Sequence, residues 1–407
     1  MGSSSLTVDC CVVGGGPAGM MLGFLLARAG VSVAVLEKHK DFLRDFRGDT
    51  IHPSTLRLMD ELGLLDELLA LPHQKARELR GQIGDFSVPM ADFTHLSERW
   101  GFIALMPQWD FLDFIAAQGR RYKTFDLRMQ AAATGLIEEG GQVAGVRADT
   151  PNGPLEVRAN LTVGCDGRHS LVRDKAGLTV EDLGAPMDVV WFALSRSPAD
   201  PQDTVGRFDA GRIFIMINRG THWQCGLVIP KGTFATLRTQ GLEAFRAALI
   251  SMAPFIGGRG NEIAGWDDVK LLTVSVDRLV EWARPGLLCI GDAAHTMSPV
   301  GGVGINLAIQ DAVATANLLA ERLRAGPVSF ADLRRVQQRR FFPARITQAA
   351  QIFIQRRVIT RVLGGTGPLS PPLPMRLLGR FPLLRRIPAY LVGIGVRPEH
   401  IQTVERR

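Results

Sequence analysis

The sequence is poor in the residues that would build a redox or metal centre. It has five cysteines in 407 residues, at positions 10, 11, 165, 225 and 289. None forms a CxxC pair and no histidine stands at zinc-ligand spacing, which argues against a disulfide framework, a structural zinc and a thiol redox pair; reduced thiols are expected. The first residues, MGSSSLTVD, place no positive charge ahead of an apolar core. Later apolar stretches are broken by Gly and Arg before the roughly 20 residues a bilayer span needs, so neither a secretion signal nor a transmembrane helix is expected. No Ser-His-Asp pattern or nucleophile elbow is visible. Hydrophobic residues at 46% and charged residues at 21% exclude a disordered chain, and the length suits two or three domains with a large core. Acidic residues are scarce at one end. Residues 321–407 hold 17 Arg, no Lys and 4 acids, about +13, while the whole chain carries +7, so the first 320 residues sum to about −6.

Glycine is abundant, 44 residues, and its placement is informative. LTVDCCVV reads as a buried strand, GGGPAG follows at once, and MMLGFLLARAG reads as a helix. The spacing Gly14-x-Gly16-x-x-Gly19 suits a dinucleotide pyrophosphate: one glycine for the turn, one for close approach to phosphate, one for helix packing. A second strand, VSVAVLE, brings Glu37 to its tip, where a carboxylate can accept from ribose hydroxyls and repel a 2′-phosphate. Two further turns follow strand-like runs. LTVGCDGRHSLVR ends a strand at Asp166-Gly167, and GLLCIGDAAHTMSPVGGVGIN ends another at Gly291-Asp292 before a long helix starting near Gly304. Either acid alone also reads as a helix N-cap. Three such turns at strand ends are what a single elongated ligand at the carboxyl edge of an open α/β sheet would require.

GGGPAG, CDGRHSLVR and GDAAHTMSPVGGVGIN, in that order, resemble the FAD-dependent aromatic hydroxylase family, the single-component flavoprotein monooxygenases similar to para-hydroxybenzoate hydroxylase. The resemblance implies a Rossmann-like α/β FAD-binding domain with an inserted antiparallel substrate sheet and a helical C-terminal segment. The expected divisions are 1–72, 100–183 and 276–320 for the FAD domain, 73–99 and 184–275 for the sheet, and 321–407 for the rest. It implies that Gly14, Gly16, Pro17, Ala18 and Gly19 cradle the pyrophosphate and Glu37 the adenosine ribose. Arg47 in DFRGDT and Gln108 in the PQ turn would reach the FAD, and Gly291 and Asp292 the ribityl or pyrophosphate region. Asp166 would serve FAD and a transiently bound NADH or NADPH. Pro299, Gly302, Val303, Gly304, Ile305 and Asn306 would line the isoalloxazine, although many relatives carry Gln where this chain has Gly302, so a side-chain contact from that position is lost. The implied chemistry is reduction of FAD by NAD(P)H, reaction with dioxygen, and transfer of oxygen from the resulting flavin hydroperoxide to an aromatic, phenolic or polyketide-like molecule.

RIFIMINRGTHWQCGLVIP reads as an antiparallel hairpin that would roof the flavin. Phe208, Phe214, Met216 and Trp223 are candidate pocket walls beside Arg212, with plain core as the competing reading of each apolar residue. His52, His222 and His295 show no partner in sequence, so no general base is named, although His52 and Pro299 are pocket candidates. Residues 333–398 contain thirteen Arg and no acid, around an amphipathic run expected to bend near Pro343. A solvated basic face, a peripheral membrane contact and a homodimer surface all fit that run; nucleic acid does not, for want of a binding motif. The protein is expected to be cytoplasmic, with a possible peripheral membrane contact. A reductase or halogenase of the same fold is an alternative, although the halogenase WxWxIP segment is lacking, as is a non-catalytic flavoprotein that docks through its Arg-rich end.

Overall fold

A computed structural model describes residues 4–43, 50–202, 204–367 and 369–406. Val-rich runs buried on both faces form the centre, as parallel strands must. Ser4–Val13 lies between Val33–Glu37 and Gly153–Gly164, all parallel, with Phe125–Met129 beyond one side and Leu287–Cys289 beyond the other. The register pairs Val13 with Leu36 and Gly164, and Gly164 with Cys289, so the strands end side by side and their outgoing loops start at one edge. Ala132–Glu139 and Gln142–Thr150 extend the sheet as antiparallel strands.

Helix Pro17–Arg28 begins with proline at its first turn and is buried from Ala18 to Ala27. It packs on Gln108–Gly119 and on Gly304–Ala325. The latter helix is long and apolar enough to cross a bilayer by length and composition, counter to expectation. Its thirteen buried residues, many of them alanine, face other parts of the protein, which accounts for the apolar composition without a membrane.

A second, seven-stranded sheet runs Lys270–Leu272, Met187–Ser195, His222–Pro230, Arg212–Asn218, Val205–Asp209, Glu78–Ile83, Phe86–Asp92. The hairpin at its heart pairs Asn218 with Trp223 around Gly220, whose φ of +83° suits glycine. Helix Leu242–Met252 covers one face, and Ile359 and Val362 of the C-terminal segment pack on the other. Helix Phe330–Ile354 opens with a capping box between Ser329 and Asp332 and continues through Pro343, where a bend was expected. A π turn, Gln355–Ile359, follows it. Residues 373–393 then form two short helices against Phe86–Asp92, and the last residues run along helices, bonding Asn317 of Gly304–Ala325 and Arg28 at the end of Pro17–Arg28. All five cysteines are free and buried.

Candidate functional site: three turns at one sheet edge

The three turns meet. Gly14 has φ +106°, and a Cβ there would lie 2.4 Å from the Cys165 carbonyl and 2.8 Å from Asp166 Cα. A Cβ on Gly291, at φ +60°, would sit 3.1 Å from Ala18 Cβ. Segments more than a hundred residues apart are therefore in van der Waals contact around the start of helix Pro17–Arg28. Gly19 is equally constrained by the protein, since its Cβ would fall 1.9 Å from the Gly14 carbonyl oxygen. Gly16 is different: a Cβ there would meet nothing within 4 Å. The protein's own atoms leave Gly16 facing open space at an uncapped helix N-terminus, the place where an anionic pyrophosphate fits and a side chain would intrude.

Glu37, at its strand tip, accepts from Gly15 N and His39 N, each at 2.9 Å. It thus braces the glycine turn from the end of the neighbouring strand. Asp166 accepts from Ser170 Oγ at 2.5 Å and Val172 N at 3.1 Å. The carboxylate therefore secures the short helix Leu171–Lys175, while burial raises its pKa against the opposing effect of those bonds. The N-cap of that helix is Ser170 rather than Asp166, whose carboxylate supports it from the strand end. Asp292 lies in the turn Gly291–Ala293, half-buried, and Gln108 opens its helix after Pro107. Arg47 lies outside the described residues.

The third turn continues from Pro299 through Gly301 and Gly302, at φ +80° and +63°, to Val303, whose side chain does not cap helix Gly304–Ala325. The N–H groups of Gly304 and Ile305 thus begin a 22-residue helix with its positive end toward the turn. Asn306 follows in the first turn of that helix, and its side chain has a structural task. Its Oδ1 accepts from His52 N at 2.9 Å and Thr55 Oγ1 at 2.8 Å, and its Nδ2 donates to Thr50 O at 3.0 Å and Gly302 O at 3.3 Å. The side chain is consumed in stapling Thr50–Thr55 to the turn. Gly302 is required because a Cβ would lie 2.5 Å from Thr50 Oγ1. His52 is fully buried, donates Nδ1–H to Val392 O at 2.8 Å, and has its pKa pushed down to about 4 by desolvation. It is held neutral, and its Nε2 lies beside Gly302 of the third turn, where a Cβ on that glycine would be 3.5 Å away.

The substrate candidates divide by strand alternation. In Arg212–Asn218, Phe214 and Met216 point into the core under helix Leu242–Met252, joined there by Trp223. Trp223 donates Nε1–H to Asp200 at 2.9 Å, and Asp200 also takes both arms of Arg259 at 2.6 and 2.8 Å. Arg212 bonds Ser251 of the same helix at 2.9 Å. These four residues face away from the layer that holds Val300, and the expectation that they wall a pocket is corrected. Phe208 does lie in that layer, with Trp191, Ile215 and Val358, beside Val300 of the third turn. Trp191 and Ile215 were missed; the period-2 pattern contained Ile215, but not the choice of face.

His222 is exposed at the hairpin end, with its pKa lowered by partial burial and by Arg219. His295 is buried and meets Asp311 Oδ2 at 2.6 Å. Asp311 also accepts from Gly291 N at 3.1 Å and Arg340 Nε at 2.9 Å. Burial alone would raise the Asp311 carboxyl, but His295 and Arg340 outweigh it and hold it below the ordinary carboxylate value. This histidine partners a structural acid two turns along the adjacent helix.

The glycine turns, the open space at Gly16 and the uncapped helix at Gly304 fit an extended flavin nucleotide. A family model described as an FAD binding domain matches residues 7–350. The chain is 32% identical over 386 residues to 6-methylpretetramide 4-monooxygenase of Streptomyces rimosus, covering 93% of this chain and 91% of that protein. The chain belongs to the FAD-dependent aromatic hydroxylase family. Its structure is similar to OxyS anhydrotetracycline hydroxylase from Streptomyces rimosus, with TM-score 0.72 and 25% identity over 95% of this chain and 76% of that one. The fold also matches p-nitrophenol 4-monooxygenase PnpA from Pseudomonas putida, with TM-score 0.77 and 19% identity over 96% of this chain and 99% of that one. This family member is an FAD-dependent monooxygenase.

Proposed function

We propose that this monooxygenase hydroxylates a fused-ring aromatic polyketide, taking its electrons from NADH or NADPH. The observation carrying the reading is the convergence of three glycine turns beside the apolar layer of Trp191, Phe208, Ile215 and Val300; the tetracycline-pathway names of two relatives supply the substrate class. Residues 1–72, 100–183 and 276–320 serve as the FAD domain, 73–99 and 184–275 as the substrate sheet, and 321–407 as the segment that buttresses both.

Bound FAD supplies electron transfer to dioxygen and delivery of one oxygen atom. The chain's residues bind and orient. The turn from Gly14 to Gly19 and the helix it opens hold the pyrophosphate, with Pro17 fixing the first helical φ and Ala18 leaving room for Gly291. Glu37 takes the ribose, while Asp166, Asp292 and Gln108 stand along the remaining length. The backbone of Pro299 to Ile305 borders the ring, and the positive end of helix Gly304–Ala325 favours negative charge there. The half-buried apolar layer, covered further by a bound substrate, would limit water at the reacting centre.

The test is turnover of purified, FAD-reconstituted protein with tetracyclic aromatic polyketides. NAD(P)H oxidation stimulated by substrate, with a product heavier by one oxygen atom drawn from labelled dioxygen, is the expected result. Equal product yield without oxygen would overturn the proposal in favour of a reductase of this fold.

A further inference from the structure

Residues 373–391 form a plate whose two faces differ in kind. Its inner side rests on the edge strand Phe86–Asp92: Ala389 is fully buried, and Gly393, one turn on, is so close to Phe93 and Pro53 that a Cβ would sit 3.1 Å from each. Its outer side carries Leu373, Leu377, Phe381, Leu383, Ile387 and Leu391, spaced by about one helical turn within each helix. They are 40–69% exposed. A contiguous exposed apolar face of this kind marks an interaction surface. The arginines beside it, Arg376, Arg380 and Arg386, are exposed, and among the described residues none of the three forms an ion pair. No acid occurs between residues 333 and 398, and the acid that interacts with Arg386 is Asp92 of the underlying strand.

We propose that this plate docks on a lipid bilayer bearing anionic headgroups. Charge decides the occupant. In a two-fold dimer the same patch meets itself, which would set arginine against arginine in an apolar contact. An anionic bilayer answers both features at once: the aliphatic rows enter the headgroup–acyl boundary, and the arginines remain at the level of the phosphates. The plate is also tied to the interior, because Val392 O holds His52, which neighbours Gly302 of the third turn. The surface is thereby fixed relative to the flavin-facing loop, so docking presents one defined orientation of the molecule to the membrane. The inference is independent of the substrate proposed above.

The experiment is flotation of the full-length, FAD-loaded protein with phosphatidylcholine vesicles and with vesicles in which part of the lipid is phosphatidylglycerol. Strong flotation only with the anionic vesicles, weakened by salt, is expected. Two double variants are compared, Arg376→Glu with Arg380→Glu and Leu383→Ser with Ile387→Ser. Each should lower partitioning by about tenfold or more. Unchanged flavin content and thermal midpoint verify folding, and for a variant that loses flavin the salt dependence of the wild type decides. Equal or absent binding to both vesicle types overturns the proposal. So does variant binding equal to wild type, or a dimer in light scattering that the Leu383→Ser, Ile387→Ser pair splits.

Discussion

Gly16 and Gly19 stand three residues apart and answer to different demands. The Gly19 position is closed by the protein itself, with the Gly14 carbonyl where a Cβ would be, whereas Gly16 looks into open space with ordinary extended backbone angles. Gly19→Ala should therefore destabilise the flavin-free protein by about 1–3 kcal/mol through overpacking of the turn. Gly16→Val should leave flavin-free stability nearly unchanged and weaken FAD binding by at least about tenfold, or about 1.4 kcal/mol. Denaturant unfolding of the apoproteins and flavin titration separate the two; a Gly16→Val protein with native FAD affinity would remove the pyrophosphate from this turn. The spacing of the glycines was readable in the sequence. So was the order of their roles, turn, phosphate approach and helix packing; that Gly14 O closes the Gly19 position while no atom lies near Gly16 was not, because both depend on the folded backbone.

The strand Arg212–Asn218 poses the same problem at the scale of an element. Alternation in RIFIMIN separates Ile213, Ile215 and Ile217 from Phe214 and Met216, and this much the residues state. They do not state which set meets the layer of Val300, since that is settled by helix Leu242–Met252 on one face and by Ile359 and Val362 on the other, both distant in sequence. Choosing the bulkier set led to the helix-covered core. Met216→Ala should cost about 2–5 kcal/mol of stability, the range for emptying a fully buried site, with KM for the aromatic substrate unchanged. Ile215→Ala, half-buried in the opposite layer, should unfold more nearly like wild type and raise KM or the fraction of NAD(P)H oxidised without product. Chemical denaturation beside product-to-NAD(P)H ratios tests the assignment, and the reverse pattern would put the substrate on the helix-covered face. By contrast, the three turns were readable together, because parallel strands buried on both faces must end in loops at a common edge.

Across the whole molecule, the Arg-rich end proves to be two things. Arg376, Arg380 and Arg386 are solvated, but Arg340 is 1% exposed and lies between Asp311 at 2.9 Å and Glu399 at 3.3 Å, with Arg339 reaching Glu399 at 2.7 Å. A run of arginines reads as a solvated face, and nothing local marks the one whose partners lie 29 residues before and 59 after it. Through Asp311, this cluster also grips Gly291 N, so the final residues of the chain support the third turn. Replacing Arg340 with Met removes one partner from each of two buried carboxylates, leaving Asp311 to His295 and Gly291 N and Glu399 to Arg339, so stability should fall by about 1–3 kcal/mol. The loss should extend to weaker FAD binding, because Gly291 is held by the same carboxylate. The pH dependence has a definite sign. Asp311 is held below the ordinary aspartate value near 3.9, so its ionised form contributes fully above that pH, and the contribution is lost as pH falls through the lower folded value. Wild-type stability attributable to Asp311 should therefore be flat from neutrality to about pH 5 and decline below about pH 4. In Arg340→Met the carboxyl keeps His295 but loses the guanidinium that also favoured its charge, so its pKa rises and the acid-side decline should begin at higher pH. Unfolding free energies measured across pH for both proteins check the shift. Parallel curves would mean that Arg340 does not govern this carboxyl and that the cluster is not what joins the C-terminal strap to the flavin turn.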